Sequence, residues 1–306
     1  MVIVSLPDWC KNTHIDDVLV RSKSSKCISL ANPAALIFGA IRSTLSTMFD
    51  ADLWVDDVAD VQVETSILGR TPVYGVNFPE AKRDPHMHIN LERMKANINQ
   101  LFAIIQHVFM RASDLGVSID DTDLSFFQLT CEKVESSCAN TFKRYCFFVM
   151  IHPLLYSRQE KYDFIDKMYR LYKMQPRIYK RTVKMEEGLK AVKGWAETAR
   201  KSGNKAVKAA LDFQSERVGL PYRFDANWRI AAFLRNAIHH VEREHDTTEP
   251  KVLEELESIF PHILSKLHLQ MWQALGEYQL GSIDYGLLVI RHFMRDPGAF
   301  GFKLVF

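Results

Sequence analysis

No run of about eighteen apolar residues occurs anywhere in the 306-residue chain, so a membrane-spanning helix is not expected. The opening residues carry Asp8, Asp16 and Asp17 in place of a basic segment followed by an apolar run, and no signal peptide is expected. The five cysteines (Cys10, Cys27, Cys131, Cys138 and Cys146) are odd in number and contain no C-x-x-C pair, which excludes the usual disulfide framework and zinc ribbon. Reduced, mostly buried thiols in a cytoplasmic setting fit that usage. The glycine-rich signatures are also missing. There is no G-x-x-x-x-G-K-[ST] loop, no G-x-G-x-x-G after a strand, no G-x-S-x-G elbow and no H-E-x-x-H pair. Nucleotide hydrolysis, dinucleotide redox chemistry, serine hydrolase chemistry and zinc proteolysis of those types therefore have no support, and no cofactor or metal is expected. Neither an internal repeat nor a low-complexity linker is present. The formal net charge of +2 is too small to make the whole chain a polyanion binder, although an average conceals local asymmetry.

What the chain does have is apolar residues, 47% of the total, enough for a sizeable core. The first 85 residues mix a helix opening near Pro33 with short β-prone runs, acidic clusters and Gly/Pro punctuation, and read as a mixed or irregular region of unknown role. From residue 86 the pattern turns helical. Ile89, Met94, Ile98, Leu101, Ile105 and Val108 recur at three- to four-residue steps of one long amphipathic helix. Cys131, Cys138 and Cys146 are spaced as one buried helical face. "KYDFIDKMYRLYKMQ" forms a further helix up to Pro176, another runs from about Thr182 to Phe213, and the stretch from Glu249 to Leu275 is helical with a bend at Pro261. The expected architecture is mainly α, a helical bundle behind the mixed N-terminal region, with divisions at 1–85, 86–194 and 195–306.

Charge is concentrated in the middle of the chain. Residues 161–208 hold fourteen Lys or Arg against five acids, a net of +9, which leaves about −7 for the remainder of a chain whose total is +2. Tyr162, Tyr169, Tyr172 and Tyr179 are interleaved with these cations, as in surfaces that hold phosphates and stack on bases; packed inward at helical spacing, they would equally leave a plain solvated cationic face. Lys173, Arg177, Lys180, Arg181 and Lys184 are the candidate RNA contacts. The acidic cluster Asp50, Asp52, Asp56, Asp57 and Asp60 reads as a solvated loop in preference to a metal site.

The most informative stretch is "FLRNAIHHVERE", residues 233–244. On a helix, Ile230, Phe233, Leu234, Ala237, Ile238 and Val241 form one apolar stripe, while Arg235 stacks with His239 on one side and Asn236 with His240 on the other. Lys, Glu or Gln would serve a solvated face at least as well as histidine, which has only middling helix propensity. "RNAIHH" resembles the R-x4-6-H signature of the HEPN superfamily, a group of all-α domains that includes many metal-independent ribonucleases of toxin-antitoxin, abortive-infection and CRISPR-associated systems. The resemblance covers at most residues 195–306. It departs from the commonest form of the motif at His239, where a small residue is frequent. It implies a homodimer with a composite cleft, in which Arg235 grips the scissile phosphate, His240 transfers a proton and Asn236 orients one or the other.

Chemistry agrees with these roles. Metal-independent RNA cleavage needs a base for the 2'-hydroxyl proton, an acid for the leaving 5'-oxygen and a cation for the charge building on phosphorus. Histidine titrates near neutrality, and a planar guanidinium matches phosphate. Family spacing selects His240 as the catalytic histidine and helical geometry selects His239; we take His240, with His239 as a substrate-contacting residue. The sequence expectation is thus an endoribonuclease cutting RNA by 2'-hydroxyl attack, in antiviral defence or as a toxin, with an antitoxin or regulatory protein as a possible partner. The alternative is a non-catalytic helical RNA-binding or protein-interaction module. A metal site built from His239, His240 and His245 with Glu242 or Glu244 lacks ligand spacing.

Overall fold

The computed structural model describes residues 2–21, 28–68, 71–114, 121–174, 194–204, 207–208, 210–211, 230–245 and 249–277. It is mainly helical with a small antiparallel sheet near the N-terminus. Among the described residues, no helix is long and apolar enough to cross a membrane. Its described residues fall into two compact units, one of residues 2–20 and 28–157, the other of Arg21 with the residues from Arg158 onward.

The first unit opens with β1 (Val2–Ser5) and α1 (Leu6–Asn12), where the Ser5 hydroxyl accepts from the Asp8 N–H and Pro7 occupies the first turn. Helix α2 (Ile15–Val18) leads to β2 (Leu19–Arg21), which pairs with β3 (Ile28–Leu30). Helix α3 (Asn32–Asp50) carries Pro33 in its first turn, where a proline is tolerated. Beyond a short 3-10 turn at Val58–Asp60, β4 (Gln62–Leu68) and β5 (Thr71–Asn77) form a hairpin, giving the sheet order β1-β4-β5 with Val4 opposite Val63 and Val63 opposite Val76. The β-prone runs of the "irregular" region are therefore an ordered hairpin.

Helices α4 (Met87–Asp114), α5 (Thr122–Glu135) and α6 (Ala139–Met150) complete this unit, followed by a 3-10 turn at Pro153–Leu155. Met94, Ile98, Leu101, Ile105 and Val108 all face the core and Ile89 is half-buried, as the periodicity requires. One core runs from Leu6 and Val63 through Met94 and Phe127 to Leu155. The units accordingly do not part at residue 85, where the change in composition falls. The physical reason is a ladder of amides on α4. Asn97 accepts from the Val55 N–H at 3.0 Å and donates to the Val55 carbonyl at 2.8 Å, Asn90 accepts from the Trp54 indole N–H at 3.0 Å, and Gln100 accepts from the Val58 N–H at 3.1 Å. The loop carrying the acidic cluster is thus bonded to the helix that follows it. Its carboxylates have local roles: Asp52 lies 3.3 Å from the Lys143 ammonium, Asp56 pairs with Lys82, and Asp57 caps the 3-10 turn.

The cysteine reading needs one correction. Cys131 and Cys146 are buried, but Cys138 is exposed, because the chain breaks between α5 and α6 and Cys138 becomes the residue that precedes α6. A break of one turn between two helices cancels the periodicity that a single helix would have had.

The second unit contains α7 (Arg158–Met174), α8 (Trp195–Lys201), α9 (Ile230–His245), α10 (Glu249–Ile259) and α11 (Ile263–Glu277). Two sequence expectations are corrected here. Helix α8 starts after Gly194, which has φ 77°, and ends before Gly203, which has φ 73°, so no single helix runs from Thr182 to Phe213; glycine enters the left-handed region without the steric cost of a Cβ. Pro261 produces a full break, with His262 at φ 60° between α10 and α11. Residues 212–229, which lead into α9, and residues 278–306 lie outside the described residues.

Candidate functional site on the α7 and α9 helices

Helix α9 packs on α7 and α10, which also touch each other. Its apolar stripe is buried as the sequence pattern requires: Ile230, Phe233, Leu234, Ala237 and Ile238 lie in the core of the unit. The Phe233 ring lies 4.9 Å from that of Trp195 of α8 and meets Phe260, just past the end of α10, edge-on at 6.1 Å. The side that carries Arg235 and His239 is only partly exposed. It faces α7.

Three α7 residues at positions i, i+4 and i+7 line up along that face. Tyr162 brings its hydroxyl within 3.2 Å of His239 Nε2 and 3.5 Å of Nδ1, with the two rings edge to face at 5.8 Å. Asp166 places a carboxylate oxygen 3.7 Å from Arg235 Nε, and Tyr169 puts its ring 4.8 Å below the guanidinium. Asp166 also accepts the Arg170 Nε contact at 2.8 Å, so its charge is shared between two cations. The Arg235 side chain is 33% exposed, while its Nε is buried and makes no hydrogen bond. Asn236 is buried, and its Oδ1 lies 3.4 Å from Arg235 Nη1. Cation, imidazole and amide are therefore each in contact with neighbouring side chains, and fixed neighbours of this kind favour preorganised electrostatics.

An adjacent face of α7 is fixed to α10 by charge. Lys161 and Glu257 form a buried ion pair at 3.0 Å, and one turn earlier Arg158 stands 3.8 Å from Glu254. Burial pushes the Asp163 carboxyl above its ordinary range, opposed by a hydrogen bond from Gln159 and by the charge of Lys167.

The residues named from sequence are distributed unevenly. Arg235, Asn236 and His239 come together with α7. His240 belongs to α9, but its side chain lies outside the described residues, as do those of His245, Glu242 and Glu244. Lys173 is exposed and sits 5.7 Å over the Tyr169 ring; Arg177, Lys180, Arg181 and Lys184 lie outside the described residues. The basic stretch is not uniformly a solvated surface, because Lys161 and Lys167 are buried. Of its tyrosines, Tyr162 and Tyr169 serve the α9 contacts. Among the described residues, no group of three or more His, Cys, Asp or Glu is arranged to hold a metal ion. Sequence reasoning missed Asp166 altogether; its only signal is the four- and three-residue spacing to the flanking tyrosines.

A scan against models of known protein families finds none that matches this chain, and comparison with curated proteins and with solved structures likewise returns no match.

Proposed function

We propose that α9, together with the facing side of α7, is the RNA-cleaving face of a metal-independent endoribonuclease of HEPN type. The protein would act in the cytoplasm, without a cofactor, as a homodimer whose second copy supplies a second Arg235 and histidine set. Arg235 binds the scissile phosphate, Asn236 keeps the guanidinium aligned, and the His239–His240 pair moves protons as the 2'-oxygen attacks phosphorus. Antiviral defence or toxicity is the setting the resemblance implies. The observation that carries the proposal is the Arg235–His239 pair, held on one side of α9 by Tyr169, Asp166 and Tyr162. A packing helix has no need of that arrangement, whereas phosphate chemistry uses a fixed guanidinium beside a fixed imidazole.

A second reading is a non-catalytic helical module that binds RNA or a protein. It is favoured by the engagement of Arg235 with Asp166 and by the burial of Asn236. The two readings separate in one experiment, cleavage of a mixed RNA pool in EDTA by the wild type, Arg235→Ala and His240→Ala, with analysis of the product ends. Cutting by the wild type alone, leaving 2',3'-cyclic phosphate ends, is the outcome expected of the enzyme. Three inert proteins that retain RNA would establish the binding module, and three that do not would leave an interaction scaffold.

A further inference from the structure

Resting on the reading of this face as the one that meets RNA, we infer that Arg170 is a second phosphate-binding residue beside Arg235, and that the Asp166 carboxylate between them is an internal latch which an RNA phosphate displaces from Arg235.

The contacts of Asp166 carry it. One carboxylate oxygen stands 2.8 Å from Arg170 Nε and the other 3.7 Å from Arg235 Nε, so two guanidinium groups bracket one oxyanion. Carboxylate and phosphate are the two groups that the arginine fork matches, and the place that Asp166 fills is therefore one that suits a phosphate. The two contacts differ in kind. Arg235 Nε is buried and makes no hydrogen bond, so Asp166 acts on it through charge. A carboxylate built to position a guanidinium bonds it at about 2.7–2.9 Å. Here the alignment comes from the Tyr169 ring, 4.8 Å from the guanidinium, and from the Asn236 amide oxygen, 3.4 Å from Nη1. Of the two pairs, the one with Arg235 is the looser and the easier to exchange for another anion.

Exposure points the same way. The Arg170 side chain is 59% exposed against 22% for Asp166, so the cation reaches further into solvent than the acid it pairs with. Asp166, Tyr169, Arg170 and Lys173 share one side of α7, and Lys173 is exposed as well, so a backbone leaving Arg235 meets Arg170 and then Lys173. A small free anion must displace the carboxylate for the sake of one site. A polynucleotide displaces it while engaging several cations at once, and the latch thereby favours RNA over free phosphate.

The test measures binding apart from cleavage, with a 2'-O-methyl oligonucleotide of mixed sequence, which has no 2'-hydroxyl to attack. Arg170→Gln should weaken binding about fivefold and make the salt slope shallower by about 0.7. Asp166→Asn keeps the shape and removes the charge; it should tighten binding about fivefold, and that gain should vanish when Arg235→Gln is added. Asp166→Glu, which keeps the charge, should bind as the wild type does, and melting curves check that each variant folds. Inorganic phosphate should compete with the oligonucleotide only weakly. An Asp166→Asn protein that binds no tighter, or whose gain survives the loss of Arg235, overturns the latch. Wild-type affinity and slope in Arg170→Gln, a variant of an exposed side chain, overturn the second phosphate contact. Phosphate that competes as well as a second oligonucleotide overturns the assignment to RNA. A wild type that holds the oligonucleotide through Arg170 and leaves ordinary RNA uncut supports the inference and removes the ribonuclease reading, whereas one that does not hold it overturns both.

Discussion

Arg235 is held from two sides at once, by the Tyr169 ring below and the Asp166 carboxylate beside it, and this shows how far single residues depend on their neighbours here. The cysteines make the same point in energetic terms. Burial pushes the Cys10 thiol up to about 12, against the opposing charge of Arg111, and it raises Cys131 and Cys146 as well. Cys138 goes the other way: hydrogen bonds from the Thr141 hydroxyl and from the backbone of Asn140 lower it, and it is fully exposed to solvent. Since the thiolate is the reactive form, iodoacetamide near neutral pH should alkylate Cys138 well before Cys10, Cys131 or Cys146. Peptide mapping checks this, and equal labelling of all four would mean that the α5–α6 junction is not built as described.

At the scale of elements, α7 matters most, because one helix presents Tyr162, Asp166 and Tyr169 to α9 and Arg158 and Lys161 to α10. Lys161→Ala would leave Glu257 as a buried charge without its ammonium partner and should cost about 3–5 kcal/mol. The double replacement Lys161→Met with Glu257→Leu should recover most of that loss, since a well-packed apolar pair avoids the desolvation that the ions undergo. Urea unfolding of the two proteins decides it, and equal losses would mean that the pair carries net stability. Local patterns in the sequence show where such helices run. Periodicity locates α3, α4, α7 and α9, Pro33 marks a start, and the apolar stripe of α9 is readable residue by residue. Contacts between elements are not legible in this way. That Asn90, Asn97 and Gln100 would bond the 54–58 loop, or that Asp166 would meet Arg235, depends on chain segments 36 or more residues apart. The breaks at Cys138 and His262 also escape, because a gap of one turn leaves each flanking pattern intact.

For the whole molecule the governing quantity is charge distribution. The excess of +9 over residues 161–208 stands against about −7 elsewhere, and the burial of Lys161 and Lys167 removes two of those cations from any surface. If the candidate contacts Lys173, Arg177, Lys180, Arg181 and Lys184 each neutralise one phosphate of single-stranded RNA, the logarithm of the binding constant should fall with the logarithm of salt at a slope of about −3.5. Filter binding across a salt series measures it. A slope near zero would remove the stretch from any role in holding the RNA backbone.

The packing of Trp195 on Phe233 has an optical consequence. Phe233 lies two positions before Arg235, so the indole is in contact with the helix that carries the candidate catalytic residues. It is buried, and its emission should sit toward the blue; any event that loosens α9 from its neighbours would let water reach the ring and move that emission to the red. Trp9 and Trp54 belong to the other compact unit, and Trp228 and Trp272 share this one, so the Trp195 signal is isolated by replacing those two with phenylalanine. The protein thus contains its own dye for the seating of α9, one that needs no label and is read without any turnover.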